Sequence, residues 1–466
     1  MIALNPVDCL SELEGVAPNR PRQSLKPGQL YLRGSLCQCR GSVWRYTFFF
    51  TSFSRVEGDR PAHQLEVPHS ARFDGLRERT TMPKTYDAII VGAGSVGMPT
   101  ALALARKGLK TLVVDKRASP GQGENKHAIG GIRATHSEPA KILACLRSLE
   151  IFATWEALYG DDIEWLQGGY VFPVYRETEE RLLSAFLPMQ QRFGLSIDYV
   201  GPEKIQSVVP GINPDRLRGG TFSPADGSAS PLLAVNAFYR QARQAGAVFE
   251  FHTAVEAIAL RKGCVTGVAT TRGRFAAPVV VDAAGACSRE LAAAIGCSIP
   301  VVPESHEAAI TEPVEMFCPA MVVDLRPVPG SKNYYFYQNR NGQVVFCITP
   351  DPPIVGDDYR ETSAFLPQVC ARLVKLVPRL KNLRVRRVWR GLYPMTRDGS
   401  PLLGWSREVR GLLHVTGMCG QGFMLGPGLG EVIAGMVTDN VPNAHRRIIE
   451  AFSLYRDQAC TVEALK

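Results

Sequence analysis

The chain has 466 residues, 45% of them hydrophobic and 21% charged, with a net charge of +9. That is enough for two or three domains of ordinary globular composition. The positive bias is dispersed, and no segment interleaves basic with aromatic residues, which excludes a nucleic-acid-binding stripe. Twelve cysteines are scattered without a C-x-x-C pair, so reduced thiols in a cytoplasmic protein are expected, with no metal or iron–sulfur site; no apolar run reaches the ~20 residues of a membrane span.

Residues 1–84 mix Pro, Gly, Arg and Ser without periodicity, and lack the basic start and apolar run of a secretory signal. Met82 stands three residues before a clean domain start, so this stretch reads as a disordered extension or a mis-called start.

From Tyr86 the pattern changes. Ala88–Val91 is an apolar run of buried parallel-strand type. Gly92, Gly94 and Gly97 follow as G-x-G-x-x-G: the first for a tight turn, the second to let backbone approach a pyrophosphate, the third for close helix–strand packing. A helix is expected over about Ser95 to Lys107, then a strand at Thr111–Val114. Asp115 closes that strand, 18 residues past Gly97, where a carboxylate accepts from ribose hydroxyls and repels a 2′-phosphate. The order predicts a dinucleotide site; the alternative is a Rossmann-like unit with no ligand.

A glycine-rich loop holding Lys116, Arg117, His127 and Arg133 precedes a helix over Pro139 to Leu158. Further helices are expected at Arg176–Phe193, Pro202–Pro210, Pro231–Gly246, Ser288–Ile295 and Ser363–Leu376. Strands are expected at Gly168–Val174 and Ala247–Phe251, in a small antiparallel meander from Ala254 to Ala276, and at Val279–Asp282. Pro300 to Tyr337 and Val344 to Ile348 alternate like a second sheet, in which His306, Tyr335 and Tyr337 would either line a pocket or fill ordinary half-buried positions. The final stretch, Arg387 to Met436, returns to strand and a glycine-rich helix start, with Pro427 in the helix's first turn.

Three stretches together, IIVGAGSVGMPTALALARKGLKTLVVDK, VVVDAAGACSRELAAAIG and GLYPMTRDGSPLLGWSREVRGLLHVTGMCGQGFMLGPGLGEVIAGM, resemble the D-amino-acid-oxidase-like flavoenzymes. The branch in view holds the sarcosine oxidase β subunit, glycine oxidase, and the flavin subunits of proline and opine dehydrogenases. The resemblance covers Tyr86 to Val441. It implies an α/β fold: a Rossmann-type FAD-binding domain (85–165, 226–300 and 387–455) interrupted by an α+β substrate domain with a mixed or antiparallel sheet (166–225 and 301–386), then a tail over 456–466.

The resemblance implies FAD as cofactor, and the departures at the His127 flank and at Gly391 favour non-covalent binding. The FAD would be contacted by Gly92, Gly94, Ser95, Val96, Gly97, Asp115, Lys116 and Arg117, then Val255, Ala284 and Gly285, and finally Gly417, Gly420, Gly422, Phe423 and Met424. The last helix start would direct its N–H groups at the flavin edge that becomes anionic on reduction. Arg133 matches the arginine that family members place over the substrate carboxylate, the alternative being a structural salt bridge or phosphate contact. His127 lies where some relatives attach flavin covalently, but its Asn125-Lys126-His127-Ala128 flank departs from theirs, so it is read as a flavin contact or a packing residue. Gly391 stands where other relatives carry a flavin-linking cysteine, and Cys287 where tryptophan is common. No lysine around Glu304 to Val314 matches the oxygen-activating one of sarcosine oxidases, which favours a dehydrogenase handing electrons to a partner subunit.

The expected reaction is oxidation of the C–N bond of a small secondary or N-substituted amino acid, of sarcosine, proline, hydroxyproline or opine type, by hydride transfer to flavin N5. Flavin-dependent oxidation of 2-hydroxy acids or glycerol phosphate is the alternative chemistry. An FAD-containing assembly factor is the alternative of another class.

Overall fold

The computed structural model describes residues 84–459 and 462–465. The expectations for residues 1–81, and the Cys37-x-Cys39 pair, lie outside the described residues.

A six-stranded sheet takes its strands from three distant stretches of chain. Its order is Leu402–Trp405, Leu412–Thr416, Val279–Asp282, Ala88–Val91, Thr111–Val114, Val248–Glu250. All neighbours are parallel except the first pair. Ala88–Val91 is buried at every position, as its unbroken apolar run requires of a central parallel strand. A four-stranded sheet lies alongside in sequence, with Val255–Arg261, Cys264–Thr270 and Gly273–Ala276 antiparallel as the meander expected.

The third sheet has eight strands, in the order Val385–Met395, Val302–Pro313, Gln343–Asp351, Gly330–Gln338, Met321–Asp324, Tyr170–Val174, Gly219–Ser223, Asp198–Val200. One pair, Met321–Asp324 with Tyr170–Val174, is parallel and the rest are antiparallel, so the sheet is mixed. Helix Phe365–Leu376 covers it, burying Val369 and Leu373 against Tyr334, Phe336 and Phe346. Strand Val385–Met395 belongs to this sheet, so the boundary expected at 386/387 falls inside a strand.

The expected long helices form over Gly97–Arg106, Pro139–Tyr159, Glu177–Arg192 and Pro231–Gln244. Helix Gly422–Val437 starts at Gly422, which corrects the placement of Pro427 in its first turn. Gly417, Cys419 and Gly420 have positive φ and turn the chain sharply, so the helix begins five residues before the proline. Pro427 is then interior, and its missing N–H leaves one helical carbonyl without the usual bond. Tight packing holds this helix together. A Cβ on Gly426 would lie 2.0 Å from the Ser95 carbonyl oxygen, and one on Gly428 2.2 Å from that of Ala144. The helix is thus wedged between the first two long helices, at distances only glycine allows.

Candidate active site

The glycine turn is built as its spacing requires. Gly92 has φ +109°, and a Cβ there would lie 2.5 Å from the Ala283 carbonyl oxygen. Gly97 would place a Cβ 1.9 Å from the Gly92 carbonyl oxygen, so it closes the turn on itself and sits behind the cavity wall rather than in it. Gly94 has no protein atom within 4 Å of its Cβ position, so its bare backbone faces open space.

That space is a cavity of about 950 Å3. At one end Gly92, Gly94, Ser95, Val96, Asp115, Lys116 and Arg117 line it. The Asp115 carboxylate accepts from Ala93 N and Arg117 N, each at 2.7 Å, which fixes its oxygens toward the glycine turn. Val255, Ala284, Gly285 and Cys287 line the same end, with the Lys116 ammonium 3.3 Å from Cys287 Sγ. Further in, Gly420, Gly422, Phe423 and Met424 bring the N-terminus of helix Gly422–Val437 to the cavity. Gly417 does not reach it: it packs on Thr396 and Leu402 and serves the turn.

Glu124 is a hub that the sequence did not single out. Its Oε2 accepts from Leu392 N at 2.7 Å and lies 3.3 Å from His127 Nδ1, while Oε1 accepts from the Tyr359 hydroxyl. Burial opposes ionisation of this carboxyl, but His127, Tyr359 and the Leu392 N–H outweigh it and hold its pKa below the ordinary value. His127 lines the cavity, with its carbonyl accepting from Trp389 Nε1. A Cβ on Gly391 would lie 2.6 Å from His127 Cβ, so the histidine occupies the room a cysteine at 391 would need. The amide oxygens of Asn125 and Gln421, both cavity-lining, have no hydrogen-bond partner among the described residues.

The other end of the cavity is aromatic. His306 stacks on Tyr393 with centroids 3.9 Å apart and planes at 14°, and the Tyr335 and Tyr393 hydroxyls are 3.2 Å apart. Burial pushes both phenols above their ordinary pKa, so they remain protonated at neutral pH. Tyr337 lies outside this wall: its hydroxyl donates to the Ile129 carbonyl. Lys332, also unanticipated, is exposed at the rim of the cavity.

Arg133 reaches the cavity from the short strand Gly131–Ile132 and is only 7% exposed. Its guanidinium lies over the Phe172 ring at 5.7 Å, and Nη2 donates to the Leu465 carbonyl. Nη1 has no hydrogen-bond partner among the described residues. Nearby, buried Asp226 accepts from Ala134 N and Thr135 Oγ1, and burial pushes its carboxyl up to about 6. The cavity therefore joins an anion-ready glycine turn to a buried cation with a free donor.

Fold and cavity together define a Rossmann-type protein whose glycine turn lines the same cavity as the aromatic wall. A family profile described as DAO, FAD dependent oxidoreductase, matches residues 87–436, and the chain belongs to that family. Similar proteins include dimethylglycine dehydrogenase, mitochondrial, of Homo sapiens, 25% identical over 90% of this chain and 48% of that protein. Glycine oxidase of Geobacillus kaustophilus is 27% identical over 76% of this chain and 94% of its own. The crystal structure of L-proline dehydrogenase from P. horikoshii superposes with a TM-score of 0.76 at 28% identity, covering 82% of this chain and all of that one. The chain spans about half the length of the dimethylglycine dehydrogenase it matches.

The residues fit the family's cofactor, FAD. Gly94 presents a cradle that any side chain would fill, Asp115 stands at the end of strand Thr111–Val114, and Asn125 and Gln421 offer unsatisfied amide oxygens to a polar ring edge. No helix among the described residues is long and apolar enough to cross a membrane, and no His/Cys/Asp/Glu cluster among them suits a metal ion. The eight described cysteines are free thiols.

Proposed function

We propose that the protein oxidises the C–N bond of a small secondary or N-substituted amino acid, with FAD held non-covalently. The observation that carries this reading is Arg133: a buried guanidinium whose Nη1 has no partner, lining the same cavity as the glycine turn and the N-terminus of helix Gly422–Val437. A guanidinium is the natural partner for a carboxylate. Bound FAD supplies the two-electron acceptor.

The chain's own groups do the positioning. Arg133 Nη1 takes the substrate carboxylate and fixes its direction. The stacked His306 and Tyr393, with Tyr335 beside them, form a wall that excludes water and leaves little freedom to the amine end. Their phenols, kept protonated by burial, serve as hydrogen-bond partners for an unprotonated amine and not as bases. Such a site works by orientation and requires no dedicated general base.

The test is the flavin absorbance of the holoprotein under anaerobic conditions, before and after sarcosine, proline, hydroxyproline and an opine. Bleaching by one of them supports the reading, and readmitted air then separates oxygen from a partner subunit as acceptor. Bleaching only by 2-hydroxy acids or glycerol phosphate replaces it with the alternative chemistry. A flavin that none of these bleaches overturns turnover and leaves the assembly factor.

A further inference from the structure

The segment that bonds to Arg133 is itself firmly built in. Glu463 has a side chain with no exposure, and its Oε1 accepts from Ser137 N at 2.9 Å, Ser137 Oγ at 2.7 Å and Leu465 N at 3.0 Å. Its Oε2 lies 3.3 Å from the Lys141 ammonium, which is equally buried. The main chain is pinned as well: Glu463 N donates to the Asp398 carbonyl at 2.9 Å, and Ala464 N to Ser137 Oγ at 2.8 Å. Leu465 is 1% exposed and joins the apolar cluster of Tyr170, Phe172, Met321 and Tyr337. Arg133 and Leu465 both line the cavity.

We infer that Glu463 to Leu465 form a fixed wall of the substrate chamber, and that the Leu465 side chain sets the size of the carboxylate ligand held by Arg133. The identity of that ligand as an amino acid rests on the proposed function; the wall does not. Half of the guanidinium's terminal edge is committed to the Leu465 carbonyl, so a ligand carboxylate engages Nη1. The group next to it is then the leucine side chain. The segment behaves as a wall and not a lid because its release would leave Lys141 buried without its counter-charge. The Leu465 carbonyl acts on the ligand only through Arg133, as a positioning group; the Leu465 side chain meets the ligand directly.

The test uses the FAD-loaded full chain and two carboxylic acids that it cannot oxidise, acetate and benzoate. Each is titrated while the flavin absorbance reports binding, in the wild type and in Leu465→Ala. The expected result is a shift of the acetate-to-benzoate affinity ratio by about tenfold or more in favour of benzoate, tenfold being the lower end of what one methylene is worth in an apolar pocket. Leu465→Val, a gentler trim, should shift it the same way by less and serves if the alanine variant does not fold. An unchanged ratio in both variants overturns the wall. So does failure of either acid to bind any of the proteins. If no amino acid bleaches the wild-type flavin while the ratio shifts as expected, the proposed function fails and the wall stands.

Discussion

Arg133 concentrates the consequences at the scale of single residues. Arg133→Lys keeps the charge but removes the planar fork, so the Leu465 carbonyl and a ligand carboxylate can no longer share it. KM for the proposed amino-acid substrate should rise about 10- to 100-fold, the worth of one hydrogen bond to a charged group. The FAD content of the purified protein should stay unchanged, because Arg133 is assigned to the ligand carboxylate and not to the cofactor. Glu463 gives a prediction with a pH signature. Burial works against its ionisation, but Lys141 and its hydrogen-bond donors prevail and hold its carboxyl below the ordinary value of 4.5. A carboxyl with a depressed folded pKa stabilises the fold fully above its ordinary pKa, and that contribution is lost as pH falls through the folded value. Glu463→Gln should therefore cost about 3 kcal/mol at pH 7, where it strips a buried lysine of its partner. The gap between wild type and variant, read from denaturant unfolding, should shrink progressively below pH 4.5. A gap that stays constant down to acid would contradict the ion pair.

Among the elements, one glycine inside a helix and one in the glycine turn should fail in opposite ways. Gly426 meets the Ser95 carbonyl, so Gly426→Ala forces helix Gly422–Val437 off the glycine turn and should lower stability by about 1–3 kcal/mol, with FAD lost in consequence. Gly94 meets nothing in the protein, so Gly94→Ala should leave the thermal midpoint of the apoprotein nearly unchanged while the new methyl obstructs the cradle. Equilibrium dialysis of FAD against both variants, alongside their melting curves, separates the two effects. The glycine-rich run over 422–430 was legible as a helix start, but most of its glycines answer to helix packing rather than to the cofactor. Strands Gly219–Ser223 and Asp198–Val200 escaped the sequence reading, since Gly-Gly-Thr-Phe-Ser and Asp-Tyr-Val carry too little alternation to register.

Across the whole molecule, legibility followed locality. The glycine turn, its helix and Asp115 lie within one short stretch, where spacing alone constrains geometry, and they form as read. The contact of Arg133 with Leu465 joins residues 332 apart, and that of Glu124 with Leu392 joins residues 268 apart. No local pattern marks such pairs, so these walls of the cavity are legible only once the strands are assembled. Lys332 shows the same limit: no lysine stands at Glu304 to Val314, whereas the fold brings one to the cavity from strand Gly330–Gln338, two places along the sheet.

The interleaving of the six-stranded sheet has a further consequence, for how the chain comes to be folded. Ala88–Val91 and Thr111–Val114 leave the ribosome early, but the strand beside Ala88–Val91 on its other flank is Val279–Asp282, and the next is Leu412–Thr416. During synthesis the open edge of Ala88–Val91 waits for Val279–Asp282, and the edge of that strand waits in turn for Leu412–Thr416, each open to misassociation meanwhile. Refolding should be slow for the same reason, since its decisive pairings span large loops. Chains cut before residue 402 should accumulate as aggregates, however complete their glycine turn. The first motif to be read in the sequence is among the last parts of the protein to become a finished surface.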